Sequence, residues 1–127
     1  MTPTGAIIGV MDLTGTWRFV ALEGAQVDGP RRTAPWLTFD GDGQVFGLAG
    51  VNRVRGTWRL EDGTLTFGPV VSTLMAGPPD AMECERQVLR LLGDPQPVSA
   101  PDDDTLELSG TVHAQLVRDP HAGDDPA

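Results

Sequence analysis

Short apolar runs that alternate with polar residues recur along most of this 127-residue chain, and Gly-containing turns separate them. In residues 16–22, for example, Trp17 and Phe19 fall on one face and Arg18 falls on the other. A period of two residues is typical of strands that bury one face. Because the runs are short and closely spaced, the pattern predicts antiparallel strands joined by tight turns.

The alternating runs predict about seven strands. They cover residues 16–22, 36–40, 44–49, 54–60, 64–67, 106–108 and 112–117. Turns at 41–43 and 61–63 join four of them into two hairpins, since Gly tolerates the positive φ that such turns require. The sequence Gly-Thr-Trp-Arg occurs twice, and each copy places a Trp, Trp17 or Trp58, on the inner face of a strand. This repeat indicates a curved, barrel-like sheet.

One segment shows helical rather than strand periodicity. After two prolines, Asp80 is followed three residues later by Glu83, which predicts a capping box with Asp80 as the N-cap. Apolar residues then recur at helical spacing, at Ala81, Cys84, Val88, Leu91 and Leu92. Gly93 is expected to end the helix. We therefore predict an α+β fold, in which a small curved antiparallel sheet of about seven strands forms a half-barrel with one helix near residues 80–92.

The chain has the length of a single domain. We expect residues 1–12 to be a short N-terminal extension and residues 13–118 to be the folded domain. Residues 119–127 are polar and rich in Pro and Gly, which predicts a disordered acidic tail. Since neither a signal peptide, a lipid-attachment Cys nor a membrane span is recognisable, we expect a cytoplasmic location.

The charge of the chain excludes two classes of partner. Its 18 acidic and 9 basic side chains give a formal charge of −9, and every basic residue is Arg. The densest basic positions, Arg31 with Arg32 and Arg53 with Arg55, do not make the clustered basic face that nucleic-acid binding needs. Anionic membranes also repel a strongly acidic protein. We expect no nucleic-acid partner, no membrane insertion and a monomer.

The sequence supports no catalytic residue. His113 falls in a predicted strand near Ser109, where we expect it to face solvent, and Ser72 is the other hydroxyl that it would need to approach. Cys84 lies on the apolar stripe of the helix, which favours a buried and unreactive thiol. We therefore expect the protein not to be an enzyme.

No cofactor or metal site is predicted either. Residues 40–44 begin like a calcium loop, but Val45 and Val51 stand where such a loop needs Gly and a bidentate Glu, so we interpret them as a hairpin turn. The acidic run 102–104 is interpreted as a solvated loop. A Gly-rich phosphate-binding loop is not recognisable in the sequence.

Residues 47–56 are the most distinctive stretch, because this Gly-rich turn holds the only Asn, Asn52, next to Arg53. One interpretation is structural: Asn52 takes a left-handed conformation or bonds backbone groups across the corner, and Arg53 packs over a Trp or reaches carbonyl groups. The other is a polar recognition corner at the mouth of the barrel. The sequence leaves both open.

Several short blocks follow one another in order between about Leu13 and Arg118. They are Leu13-x-Gly-Thr-Trp-Arg, Leu-Thr-Phe-Asp40, Gly47-x-x-Gly-Val-Asn-Arg53, Gly56-Thr-Trp58, Leu65-Thr-Phe-Gly-Pro69, Ser72-Thr-Leu-Met-Ala76 and Glu83-x-Glu85. This series resembles the META domain of the HslJ-like heat-shock proteins. The resemblance implies a small α+β fold and a non-enzymatic domain. It also implies a family often found in bacterial envelope or secreted proteins and linked in some members to heat shock or novobiocin resistance.

The chain departs from this family at two positions. Family members often carry a Cys just before the Asn-Arg and another after the Met-Ala, whereas this chain has Val51 and Gly77. Their joint absence is expected if the two cysteines pair elsewhere in the family and this protein stays in a reducing cytoplasm. The resemblance carries motif positions over to seven residues, which we expect to be mainly structural: Trp17, Gly50, Asn52, Arg53, Trp58, Thr73 and Met75.

These observations predict a META/HslJ-like protein with a stress-related role that binds a protein partner or an apolar small molecule without turnover. One alternative is a lipocalin-like small-molecule carrier, which needs about eight continuous up-and-down strands. The other is a small hydrolase, which needs His113 to face a cleft beside Ser72 or Ser109.

Overall fold

The computed structural model describes residues 12–27 and 34–122, which form ten strands and one helix. The strands are β1 Gly15–Leu22, β2 Ala25–Gln26, β3 Trp36–Phe39, β4 Gln44–Leu48, β5 Arg53–Glu61, β6 Thr64–Phe67, β7 Val71–Ser72, β8 Gln96–Asp102, β9 Thr105–Ser109 and β10 His113–Arg118. The helix, α1, is Pro79–Leu92.

Eight strands close into an antiparallel barrel. Their order is β1-β3-β4-β5-β6-β8-β9-β10, and β10 pairs back with β1. The two short strands lie outside this ring, with β2 beside β1 and β7 beside β5. The expected half-barrel of about seven strands is therefore wrong. Sequence reasoning missed β8, which contains Pro97 and Pro101 and lacks an alternating apolar pattern, and it is β8 that links β6 to β9.

The two predicted hairpins are confirmed. Strands β3 and β4 pair from Trp36 opposite Leu48 onward, and β5 and β6 pair from Trp58 opposite Phe67 onward. In the second hairpin, Asp62 and Gly63 both have positive φ, 53° and 75°, which is the backbone conformation of a two-residue hairpin turn.

Large side chains fill the inside of the barrel. Those that are almost completely buried include Trp17, Phe19, Leu37, Phe39, Leu65, Leu106 and Leu116. The Trp17 indole N–H donates to the Leu13 carbonyl at 2.9 Å, and the Arg118 guanidinium lies 4.3 Å from the ring centre. Trp58, in contrast, is only partly buried and packs edge-on against Phe39.

Helix α1 begins one residue before the predicted start. Its N-cap is Pro78, no side chain caps it, and Asp80 lies inside the first turn, where it accepts from the Ala81 N–H. The predicted capping box is therefore wrong, because Pro79 fits the first helical position and moves the start upstream. Of the predicted apolar stripe, Val88, Leu91 and Leu92 are buried, whereas Ala81 and Cys84, the latter expected to be buried, are half-buried.

Both ends of the described chain pack against the barrel. Although we expected a tail from residue 119, residues 119–122 form a turn in which Asp119 is buried. Its carboxylate pairs with Arg18 at 3.0 Å, and its N–H donates to the Thr16 carbonyl. The other expected extensions, residues 1–11 and 123–127, lie outside the described residues. In the described ranges, the single α-helix is too short and too polar to cross a membrane.

Candidate functional site

Asn52 lies at the centre of a buried polar network at one end of the barrel. It is 2% exposed and is the last residue of the turn between β4 and β5. Its Nδ2 donates to the Met75 carbonyl at 2.9 Å and to Glu85 Oε2 at 2.8 Å. Its Oδ1 accepts from the Thr73 hydroxyl at 2.8 Å and from the Met75 N–H at 2.6 Å. The amide thus uses its full hydrogen-bonding capacity to join three segments of the chain.

Glu85 is the charged member of this network. Its carboxylate is 5% exposed and accepts from the N–H groups of Val51 and Asn52, at 2.9 and 2.6 Å, as well as from the Asn52 side chain. Burial opposes ionisation of Glu85, but the hydrogen bonds from Asn52 and Val51 together outweigh it and hold the pKa of this carboxyl below its ordinary value. We call these five residues, Val51, Asn52, Thr73, Met75 and Glu85, the Asn52 network.

Sequence reasoning named Glu85 only as the end of the Glu83-x-Glu85 block and assigned it no role. A signal was present, because Glu85 stands three residues before Val88 and seven before Leu92, on the buried stripe of α1. A carboxylate on an apolar stripe needs a buried partner. The chain's only Asn supplies that partner, so the two residues could have been matched in advance.

Gly50 lets the turn approach the helix. A Cβ on Gly50 would lie 2.6 Å from the Ala81 carbonyl oxygen and 2.8 Å from Glu85 Cβ. Both neighbours belong to the fixed part of α1, so a side chain here would push the helix away from the turn. The glycine therefore sets the distance over which Glu85 reaches Val51 and Asn52.

The two positions where the family often carries Cys are neighbours in space. A Cβ on Gly77 would lie 3.4 Å from Val51 Cβ, and the Gly77 φ is not in the positive region. Paired cysteines have a Cβ separation of about 3.5–4.5 Å. This geometry is compatible with the pairing that the resemblance implies for family members.

The network contains three of the seven motif residues, Asn52, Thr73 and Met75, and Gly50 lies next to it in the turn. Arg53 is adjacent, and its backbone is bonded to Thr73, but its side chain is exposed. The predicted left-handed Asn52 is not observed, whereas its predicted bonds to backbone groups are. Trp17 belongs instead to the barrel core, and Trp58 packs against that core while remaining partly exposed.

A groove of about 720 Å³ lies beside the network, between α1, the β1–β2 turn and residues 34–35. We call it the helix groove. Its apolar lining comes from Leu22, Ala25, Val27, Ala34, Pro35, Val51, Pro78, Ala81 and Cys84. Three carboxylates also line it, those of Glu23, Asp80 and Glu83, and among the described residues no basic side chain does. Burial, aided by the charge of Asp80, raises the pKa of the Cys84 thiol, so this thiol is protonated at neutral pH.

The residues considered for hydrolysis lie in two separate places. His113 is exposed, as predicted, and stands opposite Ser109 across the β9–β10 pair. The backbone N–H of His113 donates to the Glu23 carboxylate. Within the described residues, no hydrogen bond joins the His113 imidazole ring to a serine hydroxyl. Ser72 lies in β7, opposite Val54 of β5.

The acidic stretches 40–44 and 102–104 lie at hairpin turns. Gly43 N–H donates to the Asp40 carbonyl, and Gln44 N–H donates to the Asp42 carboxylate, which closes the β3–β4 hairpin. In the part of the chain that the structure describes, no three His, Cys, Asp or Glu side chains converge on one point as metal ligands would.

Comparisons with known proteins agree with this architecture. The family model described as META domain matches residues 11–123. A comparison with curated proteins found no match. A protein from Burkholderia xenovorans, solved by NMR, superposes with a TM-score of 0.70 at 24% identity, covering 91% of this chain and 88% of that one.

Two Bacteroides proteins have the same fold at lower identity. A DUF4847 family protein from Bacteroides vulgatus gives a TM-score of 0.61 at 15% identity, over 90% of this chain and 98% of its own. A lipocalin-like protein from Bacteroides uniformis gives 0.55 at 13% identity, over 84% and 98%. These identities establish a shared fold alone, and the lipocalin-like neighbour agrees with a closed barrel rather than a half-barrel.

Proposed function

Because the chain belongs to the META domain family, we propose that it is a non-enzymatic binding domain whose ligand is an apolar small molecule carrying a positive charge. The observation that carries this proposal is the helix groove, which combines an apolar lining with three carboxylates. Its volume of about 720 Å³ falls within the range of small-molecule sites.

The apolar lining and the carboxylates have separate roles in this proposal. Burial of ligand carbon against Leu22, Val27 and Val51 supplies the affinity, at about 25 cal/mol for each Å² removed from water. The carboxylates of Glu23 and Asp80, which among the described residues have no ion-pair partner, attract a cationic group and disfavour an anion, whereas that of Glu83 is already paired with Arg86. Selectivity for positive charge is therefore the distinguishing property of the site.

The groove is held open before any ligand arrives. Glu85 bonds α1 to the turn at Val51 and Asn52, and Gly50 fixes their separation. A site that is already ordered loses less conformational entropy on binding. The filled barrel interior, by contrast, does not favour the central ligand cavity of a lipocalin-type carrier.

Three probes of equal chain length test the proposal: octylamine, octanol and octanoate. We expect octylamine to raise the melting temperature most, octanol less and octanoate least. Ala81→Phe, which fills the groove, should abolish the effect of octylamine, and Ala100→Phe, an exposed position on β8, should leave it unchanged. Equal shifts with all three probes would contradict the proposal.

Cys84 provides an independent report on where the probe binds, because its thiol lines the groove. Saturating octylamine should slow alkylation of Cys84 by iodoacetamide several-fold at constant pH. If octylamine raised the melting temperature but left the rate of Cys84 alkylation unchanged, the probe would bind outside the groove.

We also propose that the protein works as a monomer in a reducing compartment, because positions 51 and 77 lack the family's cysteines. Fractionation of cells that express the tagged protein tests the compartment, and sedimentation tests the monomer. The stress-related role is proposed from the family resemblance alone. An unchanged transcript level after heat shock would argue against it.

A further inference from the structure

Three large apolar side chains are exposed together in β7 and the segment that follows it. Val71 is 69% exposed, Leu74 94% and Met75 57%, and in the described ranges no other large apolar residue is classed as exposed. Most exposed apolar side chains of a soluble protein occur singly, whereas a cluster of them is typical of an interaction surface.

The backbone beneath these side chains is fixed. The Thr73 N–H donates to the Arg53 carbonyl at 3.1 Å, and Met75 is bonded through both its N–H and its carbonyl to the Asn52 side chain. Leu74 is therefore held out into solvent between two anchored residues. A partner that covers it would not have to order this segment first.

Two arginines lie beside the apolar cluster. In the strand register, Arg55 lies opposite Val71 of β7 on one side and opposite Phe46 of β4 on the other. The three side chains therefore form a row across the outer face of β4, β5 and β7. Arg53 occupies the same face two residues away. Among the described residues, neither guanidinium has a carboxylate within ion-pair distance, although Arg59 on the same strand pairs with Glu61.

We propose that this surface, the β7 face, docks an acidic segment of a partner protein. The β7 face comprises Phe46, Arg53, Arg55, Val71, Leu74 and Met75. Apolar side chains of the partner cover Leu74 and Met75, and carboxylates of the partner bind Arg53 and Arg55. The β7 face shares no residue with the lining of the helix groove, so this inference stands apart from the proposed function.

Charge complementarity selects this occupant. The chain carries −9, so most of its surface repels an acidic partner and orients the partner toward Arg53 and Arg55. A second copy of the chain fits poorly, because a two-fold interface centred here would bring like arginines and two strongly negative bodies together. A carboxylate accepts two parallel hydrogen bonds from one guanidinium, which gives the contact a defined geometry.

The test is selection of a phage-displayed random peptide library on the folded protein. We expect the enriched peptides to combine Asp or Glu with Leu, Phe or other large apolar residues. Synthetic copies should shift the ¹⁵N resonances of β4, β5, β7 and residues 73–75. Enrichment of basic peptides, no enrichment, or shifts confined to the helix groove would overturn the proposal.

Charge-reversal variants complete the test. Arg53→Glu/Arg55→Glu should weaken the selected peptides at least tenfold, whereas Arg59→Glu, an exposed arginine at the other end of β5, should change binding less than twofold. Leu74→Ser should also weaken binding without changing the melting temperature. The assignment would be overturned if Arg59→Glu weakened peptide binding as much as Arg53→Glu/Arg55→Glu does. It would also be overturned if an oligothymidylate bound as tightly as the peptides.

Discussion

Glu85 is the charged residue of the Asn52 network, and its two oxygens accept three hydrogen bonds in a buried place. In Glu85→Gln, an amide N–H₂ replaces one of these acceptors and faces the donors of Asn52. We expect the free energy of unfolding to fall by about 2–3 kcal/mol, as for other buried donors that lose a charged partner. Urea denaturation measures the change.

A matched control is available on the same helix. Glu83 is exposed, and within the part of the chain that the structure describes its side chain bonds only Arg86 and Gln87, so Glu83→Gln should change the unfolding free energy by no more than about 0.5 kcal/mol. Equal losses in the two variants would show that the buried hydrogen bonds of Glu85 do not stabilise the fold.

The same carboxylate makes stability depend on pH. A group whose pKa is lowered on folding contributes stability above its unfolded pKa, 4.5 for Glu85, and loses it as pH falls through the folded pKa. We therefore expect the wild-type protein to lose more stability below about pH 4.5 than Glu85→Gln does. Urea titrations at several acidic pH values measure the difference. The variant should retain part of the dependence, because the pKa of Asp12 is also lowered, chiefly by hydrogen bonds from Thr14.

Residue types alone predicted part of this site. Asn52 stood out as the only Asn in a Gly-rich turn, and its bonds to backbone groups agree with one of the two interpretations offered. The role of Glu85 did not follow, because a carboxylate on a helix is usually solvated, and its partners lie more than 30 positions earlier in the chain. Only the packing of the helix on the turn makes that carboxylate buried.

Between elements, the contact of the β4–β5 turn with α1 is set by Gly50. In Gly50→Ala, the added Cβ meets the Ala81 carbonyl and the Glu85 backbone, so the helix has to move. We expect a loss of about 2–3 kcal/mol in unfolding free energy, within the range of overpacking changes in well-packed regions. Gly41→Ala is the control, because its Cβ would meet nothing closer than Thr14 Cγ2 at 3.9 Å. A Gly50→Ala variant as stable as Gly41→Ala would contradict the close approach.

The local elements were predictable where a local pattern exists. Strands β3 to β6 alternate and are joined by Gly turns, so their hairpins follow from adjacent residues. Strand β8 has no such pattern, because it carries two prolines and is mostly exposed, and it is a strand only through its pairing with β6 and β9. The start of α1 was predicted one residue too late, because Pro79 and Asp80 are both suited to the first turn of a helix.

At the scale of the whole molecule, closure of the barrel depends on pairings between distant segments. Strands β1 and β10 pair Trp17 with Arg118, and β6 and β8 pair Leu65 with Gln96. Period-two patterns fix which face of a strand is buried, but they do not fix its neighbour. The seven predicted strands therefore indicated an open sheet. The barrel strand that was not predicted, β8, connects β6 to β9 and completes the closed ring.

The closed barrel places positions 51 and 77 side by side, which leads to a prediction about the protein's stability. In a Cys84→Ala background, Val51→Cys/Gly77→Cys should oxidise to an intramolecular disulfide, because the Cβ separation of 3.4 Å is close to that of natural disulfides. Replacing Val51 also removes the Cγ atoms that a side chain at position 77 would meet. The unfolding free energy of the oxidised form should exceed that of the reduced form by about 3.5 kcal/mol, as expected for a loop of this length.

The same pair of variants separates the effect of the bond from the effect of the substitutions. Each single variant, Val51→Cys or Gly77→Cys, should have the same melting temperature with and without dithiothreitol, whereas the double variant should melt higher when oxidised.

The bond would tie the turn that carries Asn52 to the segment that leads into α1, so it would restrain the same junction that Glu85 holds by hydrogen bonds. Glu85→Gln should consequently destabilise the oxidised double variant less than it destabilises the parent protein, because neighbouring restraints are not additive. Equal losses in the two backgrounds would mean that the bond and the carboxylate stabilise independent parts of the barrel.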